Sequence, residues 1–140
     1  MSKSSFEEEI QRKGYLLYRV EGDSMMPLIR QDKDLVLISG KPEGRLKKYD
    51  VPLYKRDSGQ YVLHRIVRIC GTEVILMGDG NFRETESCRL SDIMGIVTKI
   101  IRNGRYVDCN TRAERYKAEI WSALLPIRRY LLYIYRRIWI

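Results

Sequence analysis

The sequence contains few of the residues that bind metal ions or form disulfides. It has one histidine and three cysteines (Cys70, Cys88 and Cys109), and the cysteines lie far apart in the chain. Zinc sites and disulfide frameworks use closely spaced or evenly numbered cysteines, so the sequence predicts neither of them. Unpaired thiols favour a reducing compartment, which indicates a cytoplasmic location. No pattern in the sequence indicates a cofactor.

Long apolar runs are also missing. Residues 1–13 are polar and charged, so we expect neither a signal peptide nor a membrane anchor at the start of the chain. A length of 140 residues and an apolar fraction of 44% fit one globular domain. The body lacks the basic and aromatic patterns of nucleic-acid-binding domains, so we expect no nucleic-acid partner.

Between residues 15 and 110 the sequence alternates short apolar runs with turns such as Asp57-Ser58-Gly59. This spacing predicts an all-β barrel or sandwich, and Pro52 predicts an edge strand or a bulge. A short helix is predicted in the lead-in of residues 1–14. The predicted elements are the helix Phe6–Lys13 and the strands Tyr15–Val20, Asp34–Ile38, Val51–Lys55, Tyr61–Ile69, Glu73–Met77 and Ile96–Ile101.

Ser24 lies in the segment Gly-Asp-Ser-Met-Met-Pro, and the single histidine, His64, follows it by 40 residues. A serine hydroxyl is a weak nucleophile that needs a base for its proton and amide donors for the oxyanion. Gly22 and Asp23 allow a tight turn that presents the hydroxyl together with backbone N–H groups. His64 has the ordinary pKa that suits a general base. Taken singly, the same residues are also typical of a polar turn and a partly buried structural histidine.

A third group would orient the histidine, and Asp79 in Gly-Asp-Gly-Asn is the candidate for that role. Glu84, Glu86 and Asp92 are alternative acids. Lys55 is an alternative base, although it would have to lose its charge by burial, and its charged neighbours indicate an exposed turn.

Five segments resemble, in the same order, those of the type I signal peptidase clan, which also contains the self-cleaving repressor peptidases. The resemblance covers about residues 17–102. In this clan the serine of Ser-Met-x-Pro is the nucleophile, and one branch has histidine where bacterial members usually have lysine. The resemblance implies that Ser24 is the nucleophile, His64 the base and Asp79 the acid. The segments are Gly22–Pro27, Tyr49–Val51, Tyr61–Val67, Gly78–Asn81 and Ile93–Val97.

The resemblance also implies a fold, an activity and a substrate. The fold is mainly β, with coiled, barrel-like antiparallel sheets over residues 15–110. The activity is that of a serine endopeptidase that cleaves an extended segment with small residues at the cut. Substrate contacts are expected from Met25, Met26, Pro27, Val62 and Leu63. The alternative is a catalytically silent peptide-binding or regulatory module of the same fold, recruited by its tail.

Residues 111–140 predict a basic amphipathic helical tail, with seven Lys or Arg against two Glu. Pro126 divides it into helices of about residues 112–124 and 127–139. Four arginines make a membrane-spanning helix costly. Two interpretations stay open: residues 120–140 lie on an anionic membrane surface, or an apolar stripe packs on the β domain or on a second copy. The stripe is Ile120, Leu124, Ile127, Leu131, Ile134 and Ile138.

Overall fold

The computed structural model describes residues 6–20, 22–31, 33–40 and 46–139. The first five residues of the predicted lead-in and the last residue of the predicted tail lie outside this range. The elements, in chain order, are α1 (Phe6–Lys13), β1 (Tyr15–Arg19), β2 (Asp34–Gly40), β3 (Pro52–Lys55), β4 (Tyr61–Leu63), β5 (Arg65–Cys70), β6 (Glu73–Met77), β7 (Glu86–Arg89), a 3₁₀ turn (Leu90–Asp92), β8 (Ile93–Arg102), β9 (Arg105–Asp108), α2 (Arg112–Ala123), a 3₁₀ turn (Leu125–Ile127) and α3 (Arg128–Trp139).

Six strands form the larger sheet, in the order β1-β2-β8-β3-β4, with β9 paired to β8. All of the pairings are antiparallel, and the sheet curls into a half-barrel whose end strands are β1 and β4. Alternate residues of β2 point into the core, so Val36 and Ile38 are fully buried. They pack with Met25 and Leu53 in the main hydrophobic cluster. The prediction of a mainly β, antiparallel chain is confirmed.

The smaller sheet has the order β5-β6-β7 and its own core of Ile66, Val74 and Leu76. Two backbone hydrogen bonds join its first strand to the segment before β3. Ile66 N–H donates to the carbonyl of Asp50 and Tyr49 N–H donates to the carbonyl of Ile66, each at 2.8 Å. The two sheets are therefore fixed to each other close to His64, which lies between β4 and β5.

The structure corrects two strand predictions. Tyr61–Ile69 is not one strand: it breaks at His64, where the chain passes from the larger sheet to the smaller one. Pro52 does not mark an edge strand, because β3 lies between β8 and β4. The register shifts between Leu53 and Tyr54, which fits the bulge alternative. The strands β7 and β9 were not predicted, because both are short and mostly polar.

The tail forms two helices that break around Pro126, as predicted. Thr111 caps α2 by accepting a hydrogen bond from the backbone N–H of Glu114. The helices bury Ala118, Arg128 and Leu132, whereas most of the predicted apolar stripe is exposed or half-buried. The expectation that this stripe packs on the β domain is therefore wrong. None of the described helices is long and apolar enough to cross a membrane.

Candidate active site

Ser24 lies on an exposed turn that is anchored by buried neighbours. Gly22 begins the turn with a φ of +77°, a conformation that glycine adopts without strain. Met25 and Ile29 are almost fully buried below it, and Met26 N–H donates to the carbonyl of Asp23 at 3.1 Å. Within the described ranges, neither the N–H nor the Oγ of Ser24 hydrogen-bonds to another residue. The hydroxyl is therefore presented to solvent from a fixed backbone.

His64 lies at the break between β4 and β5, and its side chain is 11% exposed. The Nδ1 atom is 3.2 Å from the hydroxyl of Tyr54 and 3.6 Å from Oε2 of Glu86. Nδ1 is engaged on that side, and Nε2 lies on the side of Gly78, which also packs against the carbonyl of Ser24. The expectation of a partly buried imidazole is confirmed.

Glu86, on β7, places its carboxylate next to the imidazole of His64. Arg56 holds its carboxylate in a bidentate ion pair, in which Nη2 donates to Oε2 at 2.8 Å. That hydrogen bond is the main reason why the pKa of Glu86 is lowered, so the carboxylate is charged at neutral pH. Burial, together with the neighbouring carboxylate, raises the pKa of Tyr54, so its hydroxyl stays protonated. A neutral phenol and a carboxylate thus face Nδ1.

Burial lowers the pKa of His64 below its ordinary value of 6.5, because the imidazolium loses hydration in this position. The negative charge of Glu86 opposes that effect, and the positive charge of Arg56 adds to it. The imidazole is therefore neutral at pH 7. A neutral imidazole in a cleft that Ser24 also lines has the protonation state that a general base requires.

The loop Gly78–Asn81 packs between Ser24 and His64. A Cβ atom on Gly78 would clash with the carbonyl oxygen of Ser24 and would lie 3.3 Å from Nε2 of His64. Gly80 N–H donates to the same Ser24 carbonyl at 2.8 Å. Only residues without a side chain permit this approach, which explains the Gly-x-Gly pattern. The loop therefore sets the spacing between the serine and the histidine.

Ser24 and His64 line one cleft of about 240 Å³, which Met25, Val62 and Leu63 also line. Residues of both end strands of the larger sheet, Tyr18 on β1 and Tyr61 on β4, border it as well. The curl of the half-barrel brings these two ends together. The cleft is thus an opening between two sheet edges, with the serine and the histidine inside it.

Asp79 makes contacts that differ from the predicted ones. Its carboxylate accepts two hydrogen bonds from Arg65, at 2.8 and 2.7 Å, and both side chains are buried. Arg65 also donates to the carbonyl of Tyr49 at 2.9 Å. Among the described residues, Asp79 forms no hydrogen bond to His64. Its carboxylate fixes the loop to β5, and Tyr54 and Glu86 are the groups next to Nδ1.

Other predicted site residues lie outside the cleft. Met26 is buried, and Pro27 borders a different cavity. Gly22 donates its N–H to the side chain of Gln31 at 2.9 Å, so that N–H is not available to an oxyanion. Lys55, the alternative base, is exposed at the end of β3.

Two of the alternative acids form no described contact with His64. Asp92 accepts a hydrogen bond from the backbone N–H of Arg89, and Glu84 is exposed in the loop after Asn81. Of the acids considered, Glu86 is therefore the one whose carboxylate lies closest to Nδ1 of His64.

A second cavity, of about 340 Å³, lies between α2 and the larger sheet. Arg65, Arg102 and Arg115 line it, and each of them pairs with a buried carboxylate. Neither Ser24 nor His64 borders this cavity, so it is separate from the candidate site.

The helical tail contacts the back of the Gly78–Asn81 loop, and this was not predicted. Three side chains of the tail donate to three successive carbonyls of the loop. One of them, Arg136, also lies 3.3 Å from the carboxylate of Asp23, in the serine turn. The donors and acceptors are Trp121 to Asp79 O (2.8 Å), Arg136 to Gly80 O (3.0 Å) and Arg128 to Asn81 O (3.0 Å).

Tyr54 was also missed, although the sequence holds a signal for it. The Asp57-Ser58-Gly59 turn predicts a hairpin, and that hairpin pairs Tyr54 with Val62, two residues before His64. Applying the register would have placed the phenol near the imidazole. The tail contacts have no such signal, because they join segments about 40 to 55 residues apart without a shared ladder.

No protein-family model matches the sequence, and no curated protein matches it. The residues that line the cleft therefore carry the functional argument.

Proposed function

We propose that the chain is a serine endopeptidase in which Ser24 is the nucleophile and His64 the general base. One observation carries the proposal. Two residues 40 positions apart, of the types that nucleophilic catalysis needs, line the same cleft, and Gly78 packs against both. An exposed hydroxyl on a fixed turn and a neutral imidazole meet the chemical requirements of the first step.

The proposed reaction proceeds in two halves. Ser24 Oγ attacks the carbonyl carbon of the scissile peptide bond while its proton moves to Nε2 of His64. The imidazolium then gives that proton to the leaving amine nitrogen, which leaves an acyl-enzyme that water hydrolyses by the same route. Tyr54 and Glu86, next to Nδ1, orient the ring and stabilise its positive charge. The N–H of Ser24 is the donor available to the oxyanion.

The proposed substrate is an extended peptide segment that enters between the two end strands. β1 and β4 stand at the two ends of the strand order β1-β2-β8-β3-β4, and residues of both line the cleft. A peptide that pairs with such an edge is held by main-chain hydrogen bonds, and neighbouring side chains select among sequences. Val62 and Leu63 border the cleft and would make an apolar contact to the residues near the cut.

One observation favours a second candidate function, a peptide-binding module without turnover. Within the described part of the chain, Ser24 Oγ and His64 Nε2 do not form a hydrogen bond, and Asp79 is held by Arg65. Catalytic hydrogen bonds are often long before substrate binds. The two functions therefore differ in whether Ser24 reacts, which can be measured directly.

The test uses a fluorophosphonate probe that labels activated serines, followed by a panel of peptides with small residues in the centre. The wild-type chain is expected to be labelled at Ser24, and Ser24→Ala and His64→Ala to lose both labelling and cleavage. Ser58→Ala is the matched control, because Ser58 is an exposed serine on the β3–β4 turn. Wild type that binds the peptides but is neither labelled nor active would establish the binding module instead.

A further inference from the structure

The exposed apolar side chains of this chain are concentrated in the tail. Among the described residues, eight of the twelve exposed large apolar side chains belong to residues 116–138, and the other four are scattered over the body. Scattered apolar residues are normal on a protein surface, whereas a concentrated set marks an interaction site. The tail members are Tyr116, Ile120, Leu125, Ile127, Tyr130, Tyr133, Ile134 and Ile138.

The exposed set lies away from the side of α3 that packs on the body. Arg128, Leu132 and Arg136 recur every four residues and contact the body or are buried. Ile134 is 52% and Ile138 66% exposed, and they lie four residues apart on another side of the helix. The contacts between the tail and the body therefore leave Ile134 and Ile138 exposed.

Positive charge accompanies the exposed apolar residues. Residues 125–139 contain four arginines and no acid. Two of these arginines, Arg129 and Arg137, are exposed, and their described hydrogen bonds go to the hydroxyls of Tyr130 and Tyr133. Arg137 lies on the same side of α3 as Tyr130 and Ile134, whereas Arg129 is turned about 180° from Ile138. We call Ile127, Tyr130, Ile134, Arg137 and Ile138 the tail face.

We propose that the tail face binds an anionic lipid surface. Such a surface offers hydrocarbon to the isoleucines and phosphate oxygens to Arg137, and tyrosine suits the boundary between the two. A second copy of the chain fits less well, because a symmetric contact would bring Arg137 of both copies together without an acid on either tail face.

The binding test is co-sedimentation of the full chain with vesicles of phosphatidylcholine alone and with vesicles that also contain phosphatidylglycerol. We expect binding to the anionic vesicles and a decrease of that binding as salt concentration rises. Ser24→Ala is expected to bind as wild type does, so the result does not depend on catalysis. Absence of binding to anionic vesicles, or equal binding to both kinds, overturns the proposal.

Two matched pairs of variants locate the contact. Arg137→Gln removes one charge and is expected to weaken binding about fivefold, whereas neutralising the exposed Arg68 leaves it unchanged. Ile134→Asp is expected to weaken binding about tenfold or more, whereas Leu17→Asp, with 51% exposure in wild type, does not. Equal effects within either pair contradict the assignment. So does a wild type that forms dimers which Ile134→Asp disperses without any vesicle binding.

Discussion

A Cβ atom on Gly78 would meet both Ser24 and His64, so Gly78→Ala tests the whole arrangement. The new Cβ atom would fall below 3.0 Å from the carbonyl oxygen of Ser24, whereas ordinary contact begins at 3.4 Å. The serine turn and the loop must therefore move apart by several tenths of an ångström or more. A displacement of about 1 Å in a catalytic geometry costs about 100-fold in rate. We expect fluorophosphonate labelling of Ser24 to slow by about 10- to 100-fold.

The control for this variant is Gly95→Ala. A Cβ on Gly95 would clash with the backbone carbonyl of Ser39, between strands β8 and β2, where neither Ser24 nor His64 is present. Overpacking of this kind costs about 1–3 kcal/mol of stability at either position. The two variants should therefore lose similar stability in thermal unfolding, and only Gly78→Ala should lose labelling rate in its folded state. A folded Gly78→Ala protein that is labelled at the wild-type rate would refute the proposed geometry.

Three further predictions follow from the surroundings of the cleft. Arg136→Ala should slow labelling roughly two- to tenfold without changing the melting temperature, because it frees the loop, and Arg137→Ala should change neither. Catalysis needs neutral His64, whose pKa burial holds below 6.5, so the rate measured against pH should fall only below that value; Glu86→Gln should move this fall to still lower pH, because the carboxylate stabilises the imidazolium. A rate that already falls above pH 6.5 in wild type would contradict this. Asp79→Asn should lower the free energy of unfolding in urea by about 3–5 kcal/mol, because it leaves a buried guanidinium unpaired, and an unchanged urea midpoint would show that the ion pair is not needed.

The strands were predictable because their signals are local. Apolar runs bounded by Gly and Asp mark β1, β2, β3 and β6, and the Asp-Ser-Gly turn marks the β3–β4 hairpin. The break at His64 was not predictable from the run Tyr61–Ile69, which contains no glycine or proline to mark it. That break depends on the tertiary structure, because the backbone of Tyr49 and Asp50 hydrogen-bonds to Ile66, in the first strand of the smaller sheet.

The residue types that form the site were predictable, but the hydrogen bonds and ion pairs that connect them were not. Ser24, His64 and the Gly-x-Gly loop carry recognisable patterns, and the structure brings them to one cleft. The acid next to the imidazole could not be chosen from the sequence, because several carboxylates follow His64 at similar separations. The choice depends on the pairing of β7 with β6, which brings Glu86 to the imidazole, and β7 carries no apolar signal of its own.

The Gly78–Asn81 loop explains why the predicted serine, histidine and glycines come together, whereas the predicted acid and the tail make other contacts. Its backbone N–H at Gly80 holds the Ser24 carbonyl, the Asp79 carboxylate holds Arg65 of β5, and its carbonyls accept from the two tail helices. An acid committed to Arg65 cannot also orient the histidine, so orientation falls to the groups beside Nδ1. In the same way, Arg128 and Arg136 of the tail donate to loop carbonyls, so the proposed lipid contact falls to the exposed Arg137.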